Sequence, residues 1–302
     1  MNNDFLNNLD DYIKTKRYRL VNSVLVYENN KLVFERYYNK FTISSRNEIK
    51  SVWKSILSLT LGICLDKGLI ASVDDPIYKY LPQFSKNISP YHKLITIRHL
   101  LTMSSGIYWN GGVHYHCPMF EQMRRSKNWV AHLADVKHAD LPGTKFVYKE
   151  WDVILLSAVI GKACGSSAWD ICYEHLYKPL EISSDRWALS KCGVNFPSAD
   201  NSSDLSAHDM AKIGLLMINN GKWNEVQIIS SEYIKEAISP SQVDSEYGFL
   251  WWLSENGYYG LGYSGQELNI YPNKNIVAVI QATVTSLNKS YPDICENIIQ
   301  IR

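Results

Sequence analysis

Two stretches of alternating apolar and polar residues, one near each end of the chain, enclose a middle that lacks them, and this limits the folds open to the sequence. The first, "LVNSVLVYENNKLVFERYYN" (residues 20–39), is divided by Asn29-Asn30, a pair suited to the tight turn of a β-hairpin. The second, "YGFLWWLSENGYYGLGYSGQELNIYPNKNIVAVIQA" (residues 247–282), alternates between Gly, Asn and Pro turns. Between about residues 51 and 240 the pattern is mostly helical, broken by "LPQF", "SSGIYWNGG" and "LPGTKF", and further helices are expected over residues 4–16 and in "YPDICENIIQIR". Strands at both ends around a helical middle predict an α+β fold: one antiparallel sheet completed by segments 1–60 and 236–302, with segment 61–235 inserted as a helical region.

A chain of 302 residues, 46% of them hydrophobic, can bury a large core. Its formal charge of +1, without basic blocks or repeats, gives no reason to expect nucleic acid or a membrane as partner, so small-molecule or peptide chemistry is the expectation. "MNNDFLNNLDDYIKTKRYRL" lacks the continuous apolar core of a signal peptide, and no run reaches the length of a membrane span. Cys64, Cys117, Cys164, Cys172, Cys192 and Cys295 form no C-x-x-C pair, and reduced thiols in a cytoplasmic protein are expected.

The apolar run "IKSVWKSILSLTLGICLDKG" (residues 49–68) predicts a buried helix starting near Ser51, with Ile56, Leu59 and Ile63 at helical intervals and Gly68 as its stop. Ser51 and Lys54 share one face of its first turn, within hydrogen-bonding reach. There the helix dipole stabilises an oxyanion and burial disfavours an ammonium, which suits a Ser nucleophile with a Lys partner. On these residues alone, an N-cap Ser beside a solvated Lys is the other reading. The same spacing at Ser286 and Lys289 has no apolar seat and reads as a surface turn.

Several further blocks accompany this pair in order. "LIASVDDPIYKYLPQF", "ITIRHLLTMSSGI", "LPGTKFVYKEWDVILLSAVIGKACG" and "YGFLWWL" followed by "GLGYSGQELNIYPNKNIVAVI" together cover most of the chain. The set resembles the serine beta-lactamase-related family, the class C beta-lactamases and the D-aminopeptidase and esterase-like hydrolases. That resemblance implies a class C beta-lactamase-like fold, a sheet flanked by helices beside an all-helical region, with the site between them and no cofactor. It implies Ser51 as acyl-accepting nucleophile, Lys54 as its hydrogen-bonded partner and Tyr148 as proton relay. The backbone N–H groups of Ser51 and Gln266 would form the oxyanion hole. A weak hydroxyl nucleophile needs a base, and the developing oxyanion needs prepositioned donors.

Two departures bear on substrate. Glu150 stands where the family commonly has Asn, and a carboxylate near Lys54 favours its ammonium, moving base duty towards Tyr148. Tyr263, first residue of "YSG" (with Ser264 and Gly265), stands where relatives carry Lys or His, which removes a cation suited to carboxylate-bearing substrates. An esterase or amidase acting on a small neutral or cationic substrate is therefore expected. The alternatives are a D-amino-acid peptidase or beta-lactamase and, from another class, a catalytically impaired binding protein on the same fold.

Other constellations carry less. His114, His116 and Cys117, with Asp135 and His138 further on, lack a zinc-enzyme spacing, and no metal is expected. The aromatic segment that follows "MSSG", including Tyr108, Trp109, Tyr115, Phe120 and Trp129, is either an apolar wall of the substrate site or part of the helical core. Gly262-Tyr263-Ser264 opens like a nucleophile elbow, but Gln266 occupies the final Gly position and a strand follows. His99, inside "IRHLLTM", reads as a structural hydrogen-bonder rather than a triad base.

Overall fold

The computed structural model describes residues 3–86, 89–111, 118–197 and 202–300. Helix α1 (Asn3–Ile13) leads to a hairpin of β1 (Val21–Glu28) and β2 (Lys31–Tyr37), then β3 (Arg46–Glu48) and α2 (Val52–Asp66). The middle of the chain forms α3 (Ile97–Leu101), α4 (Pro118–Arg125), α5 (Trp129–Ala134), α6 (Glu150–Cys164) and α7 (Ala168–Cys172). Strand β4 (Asp204–Ser206) precedes α8 (Ala207–Ile218), a small ribbon β5 (Lys222–Trp223) and β6 (Val226–Gln227), and α9 (Ser231–Ala237). The chain finishes with β7 (Trp252–Ser254), β8 (Gly257–Gly262), β9 (Gln266–Tyr271), β10 (Ile276–Ala282) and α10 (Pro292–Ile299).

Six strands form one antiparallel sheet in the order β2-β1-β10-β9-β8-β7, so the two ends of the chain meet where β1 pairs with β10. The first hairpin turns at Asn29 and Asn30, with φ of 51° and 60°, both left-handed, as a two-residue turn matched to strand twist requires. Both faces of the sheet are covered. In β1 and β10, Val24, Val26, Ala278 and Ile280 face the layer of α1 and α10, while Leu25, Val277 and Val279 face the larger core. Covering both faces explains the unbroken burial of β10 and its apolar run from Ile276 to Ile280, since each fully buried aliphatic side chain contributes about 1.5–3 kcal/mol.

The helical middle is less uniform than its pattern predicts. Short 3-10 turns at Ile77–Lys79, Pro82–Ser85 and Pro90–Leu94 separate the helices, each preceded by or opening on proline. Strand β4 pairs with β3, and α8 packs on β9 and β10 rather than with the helices that precede it. Among the described residues no single helix is long and apolar enough to cross a membrane.

Candidate active site

Helix α2 begins where the sequence places it, and it is buried nearly all round, from Val52 to Cys64. Ser51 is its N-cap residue. The chain arrives from β3 through Lys50, whose φ of 50° is left-handed, a conformation that costs a side-chain-bearing residue about 1–3 kcal/mol. That turn is held from below. Asn47 Nδ2 donates to Gln266 Oε1 (2.7 Å) and to Ala282 O (2.8 Å), and Asn22 Nδ2 donates to Asn47 Oδ1 (2.8 Å). Strands β1, β3, β9 and β10 thus fix the approach to α2.

One turn into the helix, Lys54 is 1% exposed, so the solvated-Lys reading does not hold. Its Nζ donates to Ser51 Oγ at 2.7 Å and to Glu150 Oε1 at 2.9 Å. Glu150 opens α6 and is 3% exposed; its second oxygen, Oε2, is buried with no hydrogen-bond partner among the described residues. Tyr148 sits two residues earlier, its ring stacked on Trp252 (centroids 5.7 Å, 23°) and edge-on to Tyr247 (6.3 Å, 87°). Lys54 Nζ lies 5.0 Å from the centre of the same ring.

Between Tyr148 and Glu150, Lys149 points the other way, into the protein. It is 1% exposed and pairs with the fully buried Asp152 at 3.1 Å. Asp152 Oδ1 accepts the Ser105 hydroxyl at 2.5 Å, and Lys149 Nζ also reaches Met103 O (3.5 Å) and Val147 O (3.4 Å). Burial pushes the Asp152 carboxyl up, with the Lys149 charge and the Ser105 hydrogen bonds opposing it. This network clamps the segment carrying Tyr148 to the loop after α3. The sequence shows a Lys at the start of a helix with an Asp three residues on, and nothing local in that pattern marks it as buried.

Ser51, Tyr148, Glu150, Trp252, Leu261, Gly262, Tyr263 and Asn288 line one cavity of about 160 Å³. Larger cavities exist, one of about 410 Å³ beside Arg98 and His99 and one of about 280 Å³ beside Glu267 and Cys295, but neither holds a hydroxyl nucleophile paired with a base. The β8 wall is close because of its glycines. A Cβ on Gly262 would lie 2.3 Å from Ile49 O, so only a hydrogen there lets the strand pass the start of α2.

The structure separates the other expected site residues. Gln266 faces Gly262 in the β8–β9 register but is not among the residues lining the cavity, and its side chain is fully buried in the Asn47 network. Tyr263 lines the cavity while its hydroxyl donates to Ser286 O at 2.6 Å. Ser264, φ 65°, is 2% exposed, and its hydroxyl is engaged by the 285–287 loop through Thr285 O and Leu287 O, both at 3.1 Å. It faces that loop instead of the cavity, and Gly265 packs against the Tyr291 ring. Trp109 is edge-on to Trp151 at 4.6 Å and belongs to the helical core rather than to the lining.

His99 caps its own helix, accepting at Nδ1 from Thr96 N (3.2 Å). The Ser286–Lys289 segment is irregular and mostly exposed. His114, Tyr115, His116 and Cys117 lie outside the described residues, and among those described no three His, Cys, Asp or Glu side chains cluster as metal ligands. Sequence reasoning missed Trp252, Leu261 and Asn288 as lining residues. For Trp252 a signal existed in the paired aromatics of "FLWWL", of which Trp251 is fully buried and Trp252, at the start of β7, lines the cavity.

Comparison with known proteins gives the chain its family and a shared fold. A family model described as Beta-lactamase matches residues 9–301. An uncharacterized protein of Alkalihalophilus pseudofirmus is 27% identical over 303 residues, covering 85% of this chain and 82% of that one. The 6-aminohexanoate-dimer hydrolase of Paenarthrobacter ureafaciens is 21% identical over 282 residues, covering 84% and 70%. The crystal structure of a putative beta-lactamase from Bacteroides dorei superposes with a TM-score of 0.80 at 19% identity, over 98% of this chain and 97% of that one, which establishes the shared fold. With the match running through α2, the helical middle and the terminal sheet alike, the chain belongs to the beta-lactamase family of serine hydrolases.

Proposed function

We propose that this protein hydrolyses an ester or amide bond of a small neutral or cationic substrate through an acyl-enzyme on Ser51. The observation that carries this reading is the bonding of Ser51 Oγ to a buried Lys54 at the mouth of a cavity shared with Tyr148. Ser51 Oγ attacks the carbonyl carbon while its proton passes through the Tyr148 hydroxyl, beside the Lys54 ammonium, towards the leaving group. The backbone N–H groups of Ser51 and Gln266 receive the oxyanion. Tyr148 then protonates the leaving alkoxide or amine as the carbon–oxygen or carbon–nitrogen bond breaks. Water, activated by the same Tyr, attacks the acyl carbon and restores the Ser51 hydroxyl. The pairing of Lys54 with Glu150 supports an ammonium, hence a positioning and electrostatic role for Lys54 and proton transfer by Tyr148.

Substrate charge follows from the lining. No Lys, Arg or His is among the eight lining residues, and the family's cation is replaced by Tyr263, whose hydroxyl is directed to Ser286 O. A cation 4 Å from a substrate carboxylate is worth about 4 kcal/mol at an effective dielectric near 20, a contribution that Tyr263 does not supply. Glu150 Oε2, without a hydrogen-bond partner among the described residues, favours substrates that bring an N–H or ammonium donor, and Trp252, Leu261 and Tyr263 suit a short apolar group. The test compares p-nitrophenyl acetate and amino-acid p-nitrophenyl esters with benzylpenicillin. Neutral and cationic esters should turn over and benzylpenicillin should not, and Tyr263→Lys with Glu150→Asn should raise acylation by carboxylate-bearing substrates. Equal rates on benzylpenicillin and on a neutral ester of similar reactivity would overturn the charge assignment.

A further inference from the structure

Helices α2 and α6 carry the groups proposed for catalysis at their N-terminal ends, and they run parallel. Lys54 meets Glu150 at one end, and at the other the thiols of Cys64 and Cys164 lie 3.5 Å apart. Cys64 is ten residues beyond Lys54, and Cys164 is the last residue of α6, fourteen beyond Glu150. At 1.5 Å per residue the two contacts are separated by about 15 Å along α2 and about 21 Å along α6. The helix pair is therefore joined at both ends, by an ion pair at the cavity and by two thiols remote from it.

We propose that Cys64 and Cys164 are a redox-modification site, at which a peroxide oxidises the pair to an intramolecular disulfide that ties the far ends of α2 and α6. Bonded sulfurs sit about 2.05 Å apart, so the two Sγ atoms must close by about 1.5 Å, a distance that side-chain torsion covers. Slack is available at Cys164, which is followed by Gly165 at φ 63°. The two thiols differ in access: Cys64 is fully buried and Cys164 is partly exposed. They differ in chemistry as well. The hydrogen bond shared with Cys64 holds the Cys164 thiol below its ordinary value, while that same bond and burial push Cys64 up.

Cys164 is thus the sulfur that meets the oxidant and Cys64 the one that resolves it. The Cys164 thiolate attacks a peroxide oxygen; the O–O bond breaks, hydroxide leaves and Cys164 becomes a sulfenic acid. Cys64 attacks that sulfur, the S–S bond forms, the S–O bond breaks and the oxygen leaves as water with the Cys64 proton. Overall two thiols and one hydrogen peroxide give one disulfide and two waters, the sulfurs losing two electrons to the peroxide. A dithiol reverses the change by exchange. Cys172 is the competing partner, being buried and close enough for its charge to act on Cys64.

The test treats the native protein with a slight excess of hydrogen peroxide, quenches with catalase, then alkylates in denaturant and maps peptides. Two of the six cysteines should resist alkylation, and a peptide joining Cys64 to Cys164 should appear and vanish after dithiothreitol. The oxidised protein should melt at least about 3 °C higher, because the bond closes a long loop of the unfolded chain. Cys164→Ser, outside the catalytic groups, should show neither the cross-link nor the rise. These readouts require no turnover, so they stand apart from the proposed hydrolysis. Six alkylated cysteines after peroxide, a cross-link between Cys64 and Cys172, or oxidation of Cys164 that stops at the sulfinic acid would each overturn the proposal.

Discussion

Lys54 and Glu150 form an ion pair with Nζ and Oε1 2.9 Å apart and both side chains nearly sealed from water, at 1% and 3% exposure. Removing one partner of such a pair leaves an uncompensated buried charge, a loss of about 3–5 kcal/mol. Glu150→Ala should therefore lower stability by that order in urea unfolding. Glu150→Gln, which keeps an acceptor for Lys54, should lower it less. Equal stability of Glu150→Ala and the parent would mean that water reaches Lys54 in solution.

Tyr148 is held by packing on Trp252 and Tyr247, which leaves its hydroxyl available to the cavity. Tyr148→Phe preserves that packing and should reduce ester turnover by about a hundredfold or more, in kcat rather than KM. Lys54→Ala should cost at least as much, and the double variant should be little worse than either single one, since both act on one proton path. Full activity in Tyr148→Phe would remove the Tyr from the chemistry.

Gly262 lies against the segment that enters α2, and a methyl group there would meet Ile49 O at 2.3 Å. Gly262→Ala should push β8 away from the start of α2, lowering stability by about 1–3 kcal/mol and ester turnover by at least tenfold. Unchanged kinetics would show that the strand position does not govern the site.

The reach of sequence reasoning follows the range of the interactions. The Asn29-Asn30 hairpin, the start of α2 at Ser51 and its stop at Gly68 are local, and each has a residue-level signal. The pairing of β3 with β4 and the seating of α8 on the sheet join residues far apart in the chain, and no local pattern encodes them. The site divides in the same way. Ser51, Lys54 and Tyr148 could be located by motif, whereas the inward turn of Lys149 onto Asp152 depends on tertiary burial. Trp109 and Trp252 are both aromatic and near site motifs, and packing alone sends one to the core and the other to the cavity.

His138 supplies a pH prediction. Burial, with the adjacent His92 ring (centroids 4.7 Å) and the Lys149 charge, pushes its imidazole down from 6.5 to about 4. A depressed folded value means the fold holds the neutral ring, so this contribution to stability is complete above pH 6.5 and is lost as the pH falls from 6.5 towards 4. His92, also lowered by burial, acts in the same direction. The melting temperature should therefore fall more steeply over this window in the parent than in His138→Gln. Parallel slopes would show that His138 is solvated.

The most direct measurement is intact-mass analysis after brief exposure to a fluorophosphonate, followed by peptide mapping. One adduct per chain on Ser51, absent in Ser51→Ala, is the result expected if the Ser51–Lys54 pair at the head of α2 is the nucleophilic centre. An adduct on Ser264, or no adduct while ester hydrolysis continues, would contradict it.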